Sequence, residues 1–440
     1  MNIVFLYRFL EESKYSLAQL RAALEKKMIE YGVPLITKSY RDPGVMLSDA
    51  QYFAGKGYEV FIGYSLLTTI LPSLLNEIKW VTRSVKKQSI HLIAGGPHPT
   101  GDPYGTLRLG FEAVFHGEAE ESLPEYLMRF AEKDDYLRVK GIVTWVDGTP
   151  VFTGKQNKVD LNEHPPFPYW DCIFAPIEIT RGCAWGCRYC EVPYMHGALI
   201  RHRLPGNVLY YAKIFWSSGR RDLRFITPNA FSYGSNGKEV DINGLCYLLD
   251  KLKKESKNYS GRIFMGSFPS EIRPEHAAIE DAVRCLKRTV SNKSVIIGAQ
   301  TGSLRLLKTL NRGHDVNTVL EAVEKLNKHG FSVDVDFIYA LPFDEEEDLH
   351  ETIDLTERLV LNYNARIHAH YFLPLPGTPL EGFNPKDPPD WFMKRLMKLV
   401  GKGKLFGDWL KQRQISMKIV ELREKGIIVG LKGWRNIKRL

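Results

Sequence analysis

Three cysteines within one short run constrain this chain more than any other stretch: Thr180-Arg181-Gly182-Cys183-Ala184-Trp185-Gly186-Cys187-Arg188-Tyr189-Cys190. Their spacing lets one loop wrap a compact inorganic core and supply three ligands from one direction. A structural zinc ion takes four ligands, usually as two separated pairs. Here a zinc loop would need Cys172, His196 or His202 to complete it. A cubane iron–sulfur cluster has four irons to ligate, usually by Cys. Three local thiolates would leave one iron open to chelation by another molecule. Gly182 and Gly186 relieve steric limits on the loop, so that backbone amides can approach the sulfides.

This Cys-x3-Cys-x2-Cys stretch, with an aromatic before its last Cys, resembles the signature of the radical S-adenosylmethionine (radical SAM) enzymes. The resemblance implies a 4Fe-4S cluster on Cys183, Cys187 and Cys190, with S-adenosylmethionine chelating the open iron through its amino and carboxylate groups. It also implies reductive cleavage to a 5′-deoxyadenosyl radical, with Tyr189 against the adenine and a flavodoxin- or ferredoxin-type electron donor as partner.

The chain has 440 residues, 44% of them hydrophobic, enough for roughly two or three cores. No apolar run approaches a membrane span, and the first residues read as a strand rather than a signal peptide, so a cytoplasmic location is expected. The remaining cysteines, Cys172, Cys246 and Cys285, are isolated in sequence and read as small buried hydrophobes.

The N-terminal third alternates strands and helices. Strands are expected at Asn2–Tyr7, Val33–Lys38, Tyr58–Tyr64, Ile90–Ala94 and Phe111–Phe115. Helices are expected at Ser16–Lys27, Asp49–Gly57, Leu71–Lys86 and Ser122–Phe130. That alternation argues a parallel, doubly wound, Rossmann-like sheet, whose ligands sit at the carboxyl ends of its strands. The rim is then Tyr7-Arg8, Tyr64-Ser65, Gly95-Gly96-Pro97-His98 and His116-Gly117-Glu118. The order of these motifs resembles the cobalamin-binding domain that precedes many radical SAM domains. It implies cobalamin against Tyr64, Ser65, Gly95, Gly96, Pro97, His98, Gly117 and Glu118. The D-x-H-x-x-G motif, whose His ligates cobalt in the mutases, is absent, since Asp49-Ala-Gln-Tyr-Phe-Ala-Gly55 has no His. An ordinary strand-to-loop turn at Gly95-Gly96, and surface or capping roles for His98 and His116, are the alternatives.

Gly141–Phe152 reads as a hairpin about Asp147-Gly148, and the Pro-rich run 162–171 as a linker. Six strands then recur between helices: Ile177–Thr180, Leu223–Pro228, Ile263–Ser267, Ser294–Thr301, Ser332–Leu341 and Arg366–Leu373. They predict an open six-fold β/α barrel of the kind the family uses, with its chemistry at the carboxyl ends of the strands. The expected division is 1–130 cobalamin-binding-like, 131–171 hairpin and linker, 172–382 barrel, and 383–440 a basic helical region.

Candidate cofactor contacts follow from the strand ends. Asn229 closes the second strand. Gly298-Ala-Gln300-Thr-Gly-Ser303 resembles the family's ribose- and methionine-contacting stretch, and Asp336 begins a run that resembles its fifth-strand motif. Tight turning would explain any one of these equally well. His368, His370 and Tyr371 close the sixth strand. The two alternating histidines share a face and could supply a catalytic proton acceptor.

The net charge of +9 is concentrated in residues 391–440, where 14 Lys and Arg face only Asp408, Glu421 and Glu424. A solvated basic surface and an RNA-contacting one are both open readings. Taken together the resemblance implies a cobalamin-dependent methyltransferase acting on an unactivated carbon. The rivals are cyclisation or rearrangement without methyl transfer, and a cobalamin- or metal-binding module without turnover. Residues 1–171 contain no Cys, which argues against a methylthiotransferase with a second, N-terminal cluster.

Overall fold

A computed structural model describes residues 2–85 and 89–439. Its contacts divide the chain into two units. The first comprises residues 1–175, 375–381 and 418–440, and the second 176–374 and 382–417. The basic region expected as one piece at 383–440 is thus shared between them at Met417/Lys418. Among the described residues no helix is long and apolar enough to cross a membrane.

The first unit is built on β1 (Ile3–Arg8), β2 (Leu35–Tyr40), β3 (Glu59–Ser65), β4 (Ile90–Gly95), β5 (Ala113–Phe115), β6 (Ile142–Val146) and β7 (Thr149–Phe152). The first five pair in parallel in the order β2-β1-β3-β4-β5. Every residue of β1 is buried, and so is nearly all of β3. Such near-continuous apolar runs mark strands covered by helices on both faces. β2, at the edge, is mostly half-exposed. Helix Leu71–Val85 buries Leu71, Leu74, Ile78, Val81 and Val85, a stripe at helical spacing. The expected last residue of that helix, Lys86, lies outside the described residues.

The expected hairpin is present as β6–β7. It extends the same sheet antiparallel beside β5, and Lys438–Arg439 adds a further short strand on β7. Thr144 Oγ1 donates to the Glu112 carbonyl at 2.8 Å, and the buried Thr153 bonds the backbone of Ile142, so the hairpin is tied into the core.

The second unit carries β8 (Ile177–Glu178), β9 (Thr180–Arg181), β10 (Arg201–His202), β11 (Asp222–Ile226), β12 (Arg262–Phe264), β13 (Ser294–Gln300), β14 (Ser332–Tyr339), β15 (Arg366–Tyr371) and β16 (Leu405–Phe406). All six expected barrel strands are present at shorter bounds. They form two parallel sheets, β8-β11-β12 and β13-β14-β15-β16, with one isolated parallel bridge from Ile272 to Ile297. The short β16, on the sixth strand, was not foreseen. The first strand breaks after Glu178, and β9 turns aside to pair antiparallel with β10.

Of the three isolated cysteines, Cys285 is buried as expected, and two further expectations are corrected. Cys246 and Cys285 lie on adjacent helices, Ile242–Ser256 and Glu280–Thr289, and are joined as a disulfide. Cys172 is exposed rather than buried.

Candidate active site

The cysteine loop leaves β9 at Gly182, whose φ of +95° is in the left-handed region. A Cβ there would meet the Leu199 carbonyl oxygen at 2.3 Å, so only glycine lets the chain turn this close to the 197–199 segment. The Cys183 amide then donates to the Gly197 carbonyl at 3.1 Å. From the far side, the segment after β13 straps the loop down. Asn311 Nδ2 donates to the carbonyls of Trp185 (2.8 Å) and Gly186 (3.0 Å), and the Arg188 amide donates to Leu310.

Cys183, Cys187 and Cys190 all open on one cavity of about 380 Å³, together with Tyr189, Gly298, Gln300 and Asp336. The cavity lies at the carboxyl ends of the parallel strands, where barrel chemistry is expected. Two arginines dominate its electrostatics. Arg312 Nη1 lies 3.4 Å from Cys187 Sγ and 3.1 Å from Tyr189 Oη, and its Nη2 donates to the Gly298 carbonyl at 2.8 Å. Arg273 Nη1 lies 3.6 Å from the same sulfur, and its guanidinium stacks 3.9 Å from the Trp185 ring.

Burial alone would raise the Cys187 thiol, but these two cations prevail and hold it below its ordinary value. Cys190 is pushed up to about 12 by burial, with neighbouring Cys187 adding to the effect. Burial also raises Cys183. Glu275 pairs with Arg273 and faces His314 Nδ1 at 3.3 Å. Burial would raise its carboxyl, yet His314 and the two arginines hold it below the usual range.

The sequence-predicted residues divide into two groups. Tyr189, Gly298, Gln300 and Asp336 line the cavity with the cysteines. Asn229 and Ser303 are not among the residues lining that cavity. Buried Asn229 bonds His276 at 2.7 Å and accepts the Arg273 amide at 3.2 Å, and so helps to position the Arg273 backbone. Ser303 caps helix Leu304–Thr309 and bonds Asp348. Tyr371, expected beside His368 and His370, points to the other face of β15, because side chains alternate along a strand. Its hydroxyl bonds Asp387. His368 and His370 face Asp336, at 2.9 and 3.7 Å. Of the alternative zinc ligands, His196 borders the cavity, while His202 is tied to Thr180 (3.0 Å) and the Ser235 carbonyl (2.8 Å).

In the first unit the rim residues sit at the ends of β3, β4 and β5. Gly96 has φ +105°, and a Cβ there would meet the Leu66 carbonyl oxygen at 2.9 Å. Pro97 opens the short helix Pro97–Gly101. His98 is buried, with Nδ1 on Thr68 Oγ1 at 3.1 Å, and burial lowers it to about 4. Tyr64 bonds Glu77, Ser65 faces Ser16, and the Gly117 amide donates to Thr100. Glu118 is buried and accepts the Val159 amide at 3.0 Å, a structural role.

Neither Arg273 nor Arg312 is among the residues that the sequence singles out. Arg273 lies in the segment after β12, and Arg312 follows helix Leu304–Thr309 after β13.

Residues 177–356 match the model of the radical SAM superfamily. They are a radical SAM domain. That assignment brings a 4Fe-4S cluster and S-adenosylmethionine as cofactors. The cavity fits an anionic cluster. The three sulfurs share it, and two buried guanidinium atoms beside Cys187, Arg273 Nη2 and Arg312 Nε, have no hydrogen-bond partner among the described residues.

Curated relatives of the chain are tRNA-2-methylthio-N(6)-dimethylallyladenosine synthases. That of Clostridium botulinum is 28% identical over 284 residues, covering 63% of this chain and 57% of the relative. That of Protochlamydia amoebophila is 30% identical over 234 residues, 52% of this chain and 49% of the relative. The chain therefore spans about half the length of the curated relatives it matches. Among solved structures it resembles the radical SAM methyltransferase TsrM from Kitasatospora setae, with cobalamin and a 4Fe-4S cluster bound. The TM-score is 0.67 at 14% identity, over 86% of this chain and 77% of that one. It also resembles the cobalamin-dependent radical SAM enzyme OxsB, with a TM-score of 0.66 at 14% identity over 97% and 61% of the two chains. At these identities the likeness is one of fold.

Proposed function

We propose that this chain is a cobalamin-dependent radical SAM enzyme that methylates an unactivated carbon. One observation carries the reading: a doubly wound sheet precedes a radical SAM domain whose three cysteines share a cavity with two buried arginines. TsrM, a methyltransferase with cobalamin and a cluster bound, shares that order of folds along most of the chain.

In this reading Cys183, Cys187 and Cys190 hold the cluster, and Arg273 and Arg312 offset its negative charge. Tyr189, Gly298 and Gln300 border the space for S-adenosylmethionine. When bound, the cluster and S-adenosylmethionine supply a radical able to remove hydrogen from carbon, and cobalamin supplies a methyl carrier. The protein positions the reactants and excludes water.

The first unit supports cobalamin by its topology. In the order β2-β1-β3-β4-β5, the chain reverses direction across the sheet between β1 and β3, and ligands of such sheets bind outside that switch point. Gly96 leaves no room for a Cβ in the adjoining loop, and His98 is turned inward onto Thr68. Cobalamin would therefore bind without His98 on cobalt.

RNA is the substrate class that the curated relatives' names favour. The basic region weighs less for it than the sequence suggested. Arg395 pairs with Asp354 and Glu357, Arg413 with Asp387, and Lys418 and Lys425 with Glu421.

The test is anaerobic loading with iron, sulfide and cobalamin, then S-adenosylmethionine labelled in its methyl group. The expected results are 5′-deoxyadenosine on reduction and label on the protein-bound cobalamin. A chain that takes up no cobalamin at saturation would overturn the methyl-transfer reading.

A further inference from the structure

We propose that Asp336, His368 and His370 form a second metal site, for a divalent transition ion such as Zn2+ or Fe2+, in the wall of the cysteine cavity. β14 and β15 run parallel with Asp336 directly opposite His368, and His370 follows two residues on. All three side chains therefore share one face. One potential ligand atom from each lies within 4.8 Å of the other two. His368 Nδ1 is 2.9 Å and His370 Nε2 is 3.7 Å from Asp336 Oδ1.

Bonds of about 2.1 Å to a tetrahedral ion put its ligands about 3.4 Å apart, so small side-chain rotations would suffice. Two histidines and one carboxylate are a donor set for Zn2+ or Fe2+ that leaves positions open for a further ligand. Asp336 also lines the cavity with the three cysteines. An open position there could hold an oxygen or nitrogen of the substrate. That role, unlike the ion itself, rests on the enzymatic reading above.

The surroundings orient both rings. His368 stacks on Phe406, with centroids 4.8 Å apart and planes 15° apart. Gln412 Oε1 accepts the Tyr371 amide at 2.8 Å, which turns its Nε2 towards His370 Nδ1 at 3.4 Å. An ion on His370 Nε2 needs the proton on Nδ1, and an amide nitrogen cannot accept it. Gln412 therefore weakens the site, and a carboxylate in its place would strengthen it by accepting that proton. The rival is a metal-free network in which both histidines donate to Asp336.

The experiment uses the 440-residue chain with its cluster loaded, so that the cysteines are occupied, equilibrated with Co2+ alone. The expected result is one Co2+ per chain, with ligand-field absorption. Affinity should fall at least ~10-fold in His368→Ala and Asp336→Asn, and rise ~10-fold in Gln412→Glu. Gln412→Glu keeps the test decisive if either other variant fails to fold. Cobalt uptake that is absent, or equal in the parent and all three variants, overturns the proposal. Iron content reports the cluster separately: cobalt without iron would count against the radical SAM reading and leave this site standing.

Discussion

Arg312→Met should destabilise the second unit strongly even without a cluster. Both terminal nitrogens of the guanidinium are engaged, bonding the Gly298 carbonyl at 2.8 Å and Tyr189 Oη at 3.1 Å, with Cys187 Sγ at 3.4 Å. Met fills much of the volume and removes every donor. Hydrogen bonds to charged groups contribute about 1.5–3 kcal/mol each. Against their loss stands the relief of a desolvation cost of several kcal/mol per buried ion. Breaking a buried charged pair typically costs 3–5 kcal/mol net, and the lower end, about 3 kcal/mol, is expected here because the sulfur contact is long. For a unit of this size that corresponds to a fall of roughly 6–12 °C in Tm. The assay is thermal unfolding of the cluster-free, reduced, anaerobic protein followed by circular dichroism, with Arg312→Lys as the control that keeps the charge but loses the fork. Arg312→Lys should fall between the two. If Arg312→Met melts within a degree or two of the parent, Arg312 does not anchor the loop.

Gly313→Ala should impair iron uptake, because its Cβ would sit 1.9 Å from Trp185 Cζ3 and displace the ring that carries Arg273; a normal iron content in the purified variant would contradict this. Cys172→Ser should keep its iron whereas Cys187→Ala should lose it together with the near-visible absorption, since Cys172 is exposed and Cys187 borders the cavity; equal loss in both would defeat the three-ligand assignment. Burial pushes Asp102 up from 3.8 to about 6, so the folded first unit holds that proton more tightly than the unfolded chain. Its contribution is complete below pH 3.8 and is lost as pH rises through 6, about 3 kcal/mol in all. Asp102→Asn should flatten the pH dependence of denaturant unfolding over that interval, and parallel curves for the two proteins would refute it.

The central strands of the first unit were legible because parallel strands covered on both faces read as unbroken apolar runs, as in β1 and β3, whereas β15 in the second unit alternates buried and half-buried residues. The cysteine triplet announced its chemistry because three thiols so spaced have few other uses. What stayed hidden depends on side-chain direction and long-range packing. Asn229 and Ser303 stand at the right strand ends but turn into the structure, one holding the Arg273 backbone and the other capping a helix. Tyr371 is one residue from His370 and so faces the opposite way. Arg273 and Arg312 come from different strand ends and converge on one sulfur, which no local pattern encodes. The hairpin's place in the first sheet and the division of the basic region between units are likewise set by contacts distant in sequence.

The most direct test of the central claim is a single anaerobic measurement on the reconstituted 440-residue chain. Iron, acid-labile sulfide and 5′-deoxyadenosine are quantified after addition of S-adenosylmethionine and a strong reductant, for the parent and for Cys183→Ala, Cys187→Ala and Cys190→Ala. The account predicts one 4Fe-4S cluster per chain and deoxyadenosine formation in the parent, with both lost in each variant. A parent that binds zinc in place of iron, or holds the cluster yet yields no deoxyadenosine, would contradict it.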